Sequence, residues 1–154
     1  MKLLSFDIKI LDVFELGKHE DMALTARIAL KSNDPMFQFF NQAGFPVGME
    51  KVAEEMGIPQ EKLLDGADAP KQWRAGNHSE VMNDCLGDCQ ITKLIVHAIE
   101  ETRQVRWVTD KGHISSKPMP RLKFGEEVIQ DLEPDQSWMD NPLLKIKFYE
   151  WVQE

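Results

Sequence analysis

Apolar and polar residues alternate along residues 3–13 (L-L-S-F-D-I-K-I-L-D-V), with Leu4, Phe6, Ile8 and Ile10 on one face and Ser5, Asp7 and Lys9 on the other. That period of two predicts a half-buried strand. A polar turn follows at residues 17–20, then helical spacing over residues 21–31 that stops at S-N-D-P. Asp34 followed by Pro35 reads as an N-cap with proline at the first helical position, so a second helix should run to about Gln42 and end at G-F-P. Residues 48–56 predict a third helix with Met49, Val52, Ala53 and Met56 inward and Gly57 as its stop. Residues 63–69 read as loop. Residues 70–75 make a short helix closed by Gly76.

The longest helical stretch is residues 80–101, introduced by Asn77 and Glu80 at the spacing of a capping box. At helical spacing Val81, Cys85, Asp88, Thr92, Ile95 and Ile99 share one side, which directs the Asp88 carboxylate where the apolar side chains go. A carboxylate removed from water must be paired, hydrogen-bonded or metal-bound, or take up a proton, which makes Asp88 a site candidate. Strands at residues 105–108 and 113–115 flank T-D-K-G, the chemistry of a hairpin turn. A weak helix over residues 125–132 precedes the breaker E-P-D. Asn141-Pro142 opens a terminal helix with Leu144, Phe148 and Trp151 on one stripe.

With 154 residues, 42% of them hydrophobic, the chain is long enough for one domain with a core. The reading is a single domain over residues 1–154, of which residues 117–154 are a C-terminal extension. Against 18 basic residues stand 26 acidic ones, a net charge of -8, which argues against binding by bulk phosphate neutralisation. It leaves room for a nuclease, because divalent cations bridge an acidic site to a phosphate. No apolar run approaches the ~18 residues of a membrane span and no secretory signal opens the chain, so the expectation is a cytoplasmic protein without a membrane partner. Cys85 and Cys89, four apart on a helix, are awkwardly placed for a disulfide and read as small core residues.

Two segments together carry a resemblance. The strand S-F-D-I-K (5–9) and the helix C-L-G-D-C-Q-I-T (85–92) resemble the first and third motifs of 3'-5' exonucleases with a ribonuclease H-like fold. Within that group the chain is similar to the DEDD-type exonucleases related to the proofreading domain of family B DNA polymerases. G-F-P-V-G-M-E-K-V-A-E-E-M-G-I (44–58) and W-R-A-G-N-H-S-E-V (73–81) are similar to the approach to the last catalytic helix, so the resemblance spans most of residues 3–100. It implies an α/β fold, ribonuclease H-like and helix-rich with an incomplete sheet, as of a family member lacking an internal segment. It also implies hydrolysis of DNA or RNA 3' ends with Mg²⁺ or Mn²⁺.

In such enzymes two cations roughly 4 Å apart activate a water and stabilise the leaving oxygen. Four carboxylates hold the cations: Asp-x-Glu on the first strand, a middle Asp, and a final Asp preceded four or five residues earlier by a Tyr or His that orients the water. Asp7 matches the first position and Asp88 the last, both with catalytic and metal-binding roles. Asp21 is the candidate for the middle acid, with a loop acid as the alternative. Lys9 stands where the family has Glu, replacing an anion with a cation. Asp84 stands where Tyr is expected and Asn83 where His is. Asp84 and Asp88 at i, i+4 either ligate one cation together, as a substitute metal site, or else only weaken the helix as like charges do. Hydrolysis is therefore expected to be impaired or lost, and the alternative is an inactive nucleic-acid or protein-binding module.

Other residues have weaker claims. His78 is a candidate general base, with a cap or surface role as the simpler reading. Trp73, Trp107, Trp138 and Trp151 could stack bases, with packing as the default. Lys117, Arg121 and Lys123 form a local basic patch that reads either as a phosphate contact or as a surface tie. Three predicted strands are fewer than the five of a complete ribonuclease H-like sheet, and an open edge on the first strand points to a homodimer by strand pairing. An unrelated helical interaction protein is the remaining alternative.

Overall fold

A computed structural model of the chain describes residues 26–59 and 68–152. The chain divides into two compact units, Met1–Gly48 with Lys117–Glu154, and Met49–Ser116.

In the first unit residues 26–30 are helical and α1 follows at Pro35–Ala43. Asp34 Oδ1 accepts from the Met36 and Phe37 N–H groups, 3.0 Å each, and Pro35 fills the first turn, as the sequence predicts. Seven of its residues, Pro35 through Asn41, are buried, because the helix is apolar nearly all round. It stops at Gly44, which is left-handed at φ 82° and donates to Phe40 O at 2.8 Å. Gly44 is required twice over, since a Cβ there would lie 2.7 Å from Asp135 O.

The second unit contains α2 (Met49–Glu55), α3 (Ala69–Arg74), α4 (His78–Thr102) and the strand β1 (Gln104–Val108). It is joined by β2 (Ile114–Pro118), which pairs with β1 in an antiparallel hairpin. The turn T-D-K-G closes as predicted, with Gly112 at φ 76° and Thr109 N–H donating to His113 O at 2.8 Å. Strand β1 buries Val105 and Trp107 on alternate positions, and α2 packs on it through Val52 and Ala53. The ion pairs Arg106–Glu55 and Lys51–Asp110 fix α2 to the hairpin. Met49 and Met56, expected inward, are only half-buried.

Helix α4 starts at His78. Asn77 does not cap it; its amide donates instead to Gln72 Oε1 at 2.6 Å, so the predicted capping box is absent. Its buried residues are Val81, Asp84, Ile91, Ile95 and Ile99. Val81, Ile95 and Ile99 are buried as expected, whereas in the middle of the helix Asp84 and Ile91 are buried in place of their predicted neighbours Cys85 and Thr92; Asp88 and Thr92 are half-buried and Cys85, expected in the core, is exposed.

Back in the first unit, α5 (Gly125–Gln130) begins with Glu127 accepting from Phe124 N–H at 2.9 Å. Gly125 lies so close to the end of the 26–30 helix that a Cβ would meet Ala29 O at 2.9 Å, and its N–H donates to Ser32 O. Phe37, Phe40, Val128 and Phe148 form the core, with Phe40 and Phe148 rings 4.3 Å apart. The predicted terminal helix is instead two 3-10 turns, Lys145–Phe148 and Glu150–Val152. Lys145, not Leu144, turns inward: it is 1% exposed and its Nζ donates to Ile129 O and Asp131 O, capping α5, while Leu144 faces solvent. Burial pushes the Lys145 ammonium below its ordinary pKa.

The described residues therefore mix helices with one two-stranded antiparallel sheet. A five-stranded sheet of the ribonuclease H-like kind is not among them, and the predicted strand over residues 3–13, with its edge for dimerisation, lies outside them. Among the described residues no helix is long and apolar enough to cross a membrane.

Candidate functional site

Helix α4 carries the two described candidates. Asp84 is 8% exposed and Asp88 half-buried, so the carboxylate most removed from water is Asp84 rather than Asp88. One helical turn separates them, and residues at that spacing are neighbours, with Cβ atoms about 5–6 Å apart. Thr92 locks the turn below: its hydroxyl donates to Asp88 O at 2.9 Å and approaches the Met49 sulfur at 3.5 Å, tying α4 to α2. Cys85 and Cys89 are both exposed, which corrects their expected core role.

Asp7, Asp21 and Lys9 lie outside the described residues. Among the described residues no group of three or more His, Cys, Asp or Glu side chains is arranged to hold a metal ion. Asp84 and Asp88 alone supply two carboxylates, short of the set a two-cation centre uses, so the described residues by themselves do not fit Mg²⁺ or Mn²⁺ in that arrangement.

The basic segment is neutralised within its own unit. Arg121 makes a two-pronged pair with Glu127, at 2.6 and 3.1 Å, and Lys123 binds Asp131 at 2.6 and 2.7 Å. The Arg121 hydrogen bond and the Phe124 N–H hold Glu127 down to about 2, and Glu127 in turn raises Arg121. Of the two readings of this segment, the surface tie fits and the phosphate contact loses two of its three cations. Gln38 completes the tie. It is 2% exposed, donates to Arg121 O and accepts from Lys123 N–H, both at 2.8 Å. The signal for it was an amide between Phe37 and Phe39, set in a run that is otherwise apolar from Pro35 to Phe40.

The aromatic candidates separate by burial. Trp107 is core at 7% exposed; Trp138 is 62% exposed and its indole donates to Asp135 O at 3.2 Å. Trp73 is 40% exposed, at the end of α3. His78 stacks on it with ring centroids 4.3 Å apart, and its Nε2 lies 3.1 Å from Trp73 O. That contact fits the surface role of His78.

No protein-family model, curated protein or solved structure matches the chain.

Proposed function

We propose that the protein is a derivative of the 3'-5' exonuclease group in which hydrolysis of nucleic-acid ends is impaired or lost. The observation that carries the reading is the burial of Asp84 one turn from a half-buried Asp88. Asp88 keeps the family's last ligand position with partial access to solvent. At the position of the water-orienting phenol stands an ionisable acid drawn into the interior. A phenol both donates and accepts, whereas an ionised carboxylate only accepts and repels a hydroxide nucleophile. Lys9 weakens the site from the other motif by removing one ligand and repelling a cation. What such a derivative retains is binding of a DNA or RNA end rather than its cleavage.

The test is digestion of end-labelled single-stranded DNA and RNA in Mg²⁺ and in Mn²⁺. Wild-type protein should leave both intact, and Lys9→Glu combined with Asp84→Tyr should recover metal-dependent digestion that Asp88→Ala abolishes. Robust digestion by the wild type, lost on Asp88→Ala, would overturn the reading.

A further inference from the structure

We propose that Trp73, His78, Lys71 and Arg74, at the junction of α3 and α4, form a binding surface for single-stranded nucleic acid. The ring pair takes a base and the two cations take neighbouring phosphates. This shares the nucleic-acid partner of the exonuclease reading but requires no cleavage.

Three observations converge on this corner. The first is an aromatic surface held ready: Trp73 is 40% exposed, His78 backs it at 4.3 Å with an interplanar angle of 32°, and the His78 Nε2 contact to Trp73 O fixes the pair. The connecting turn is itself tied, by Asn77 Nδ2 donating to Gln72 Oε1 and by Gly76 in the left-handed region at φ 88°. A platform fixed before binding loses less freedom when a base lands on it.

The second is charge. Lys51, Arg106, Arg121 and Lys123 are committed to Asp110, Glu55, Glu127 and Asp131 respectively, whereas no ion pair holds Lys71 or Arg74 among the described residues. Both are exposed, in the last turn of α3, three residues apart and so on neighbouring positions of the helix surface. The third is the combination. Cations without an ion pair among the described residues, beside a fixed, exposed indole, match the two things a single strand offers at every nucleotide, a phosphate and a π-face. An acidic peptide would use the cations and leave the ring pair idle. Among the described residues Asp68 before α3 and Glu80 in the first turn of α4 are the nearest acids along the chain, and they limit the surface to a short stretch of strand.

The probe is a fluorescein-labelled dodecamer of deoxythymidine or of uridine, titrated with the full chain at low salt in EDTA, with anisotropy as the readout. Chelation removes metal-dependent hydrolysis from this assay, so its outcome is independent of the digestion test above. Two phosphate contacts predict a slope of log K against log salt of about -1.4, from about 0.7 per phosphate on single strands. Trp73→Ala should weaken binding about 5- to 150-fold, the range of one lost base stack, and Trp73→Phe should restore most of it. Lys71→Ala with Arg74→Ala should flatten the salt slope, and Trp138→Ala should change nothing. Absence of binding at low salt overturns the proposal. So does binding that Trp73→Ala leaves intact, or equal competition by inorganic polyphosphate or an acidic peptide, and a circular dichroism spectrum for each variant separates lost binding from lost fold.

Discussion

The first unit and the α3–α4 corner treat the same residue types in opposite ways. Around α1 and α5, aromatic rings stack on one another inside, and the cations Arg121, Lys123 and Lys145 are satisfied by Glu127, Asp131 and the carbonyls of Ile129 and Asp131. At the corner an indole and an imidazole stack at the surface, and Lys71 and Arg74 are left without ion pairs among the described residues. Where aromatic and cationic groups are consumed by internal partners, their contribution is to stability. Where they are fixed but unconsumed, little of their interaction energy is used by the fold, and it is available to a ligand.

The sharpest way to break this comparison is to truncate one ring in each region. Phe40 is fully buried and stacks on Phe148, so Phe40→Ala should cost about 3–5 kcal/mol, read from urea unfolding. Trp73→Ala should cost far less, because 40% of that residue already faces water. Equal losses would mean that Trp73 is a packing residue, and the distinction between the regions would fail.

A smaller effect probes how tightly the first unit is closed. Gly44→Ala puts a Cβ 2.7 Å from the Asp135 carbonyl oxygen at a φ of 82°. The left-handed conformation alone costs about 1–2 kcal/mol for a residue with a Cβ, and the backbone contact adds to it. Gly76→Ala at the corner carries the same conformational penalty with nothing within 4 Å of the added carbon. The difference between the two unfolding midpoints therefore isolates the packing term, and no difference would show that the 135–136 segment yields freely.

These contrasts also mark what the sequence made legible. Local chemistry was readable: the Asp34-Pro35 start of α1, the stop at Gly44 and the T-D-K-G hairpin depend on residues a few positions apart, and each has its expected form. The face of α4 was legible only in part. Val81, Ile95 and Ile99 are buried as their spacing predicts, but apolar residues lie all round the helix, with Met82, Leu86 and Leu94 exposed while Asp84 is buried, so periodicity did not decide which acid of its middle turns inward. That error moved the buried carboxylate from Asp84 to Asp88. Lys145 was missed for another reason: its partners are backbone carbonyls, which no side-chain pattern records. That Lys71 and Arg74 have no ion pair among the described residues is likewise a fact of three dimensions, invisible in a count of charges.

The smallest expected effect lies in the charges themselves. Glu127 is held at about 2 by Arg121 and the Phe124 N–H, below its ordinary 4.5. A carboxyl depressed in the folded state contributes stability that is complete above 4.5 and is lost as pH falls through about 2, since between those values the unfolded chain binds the proton more readily. Arg121→Ala raises the folded value toward the ordinary one and should shrink that acid-dependent loss, a change visible as a flatter dependence of the thermal midpoint on pH between about 4.5 and 2. Arg74→Ala has no carboxylate partner to release among the described residues, so the same measurement should superimpose on wild type. If it instead reproduces the Arg121 behaviour, Arg74 is held by an acid after all, and the corner is a neutralised surface like the segment around Arg121.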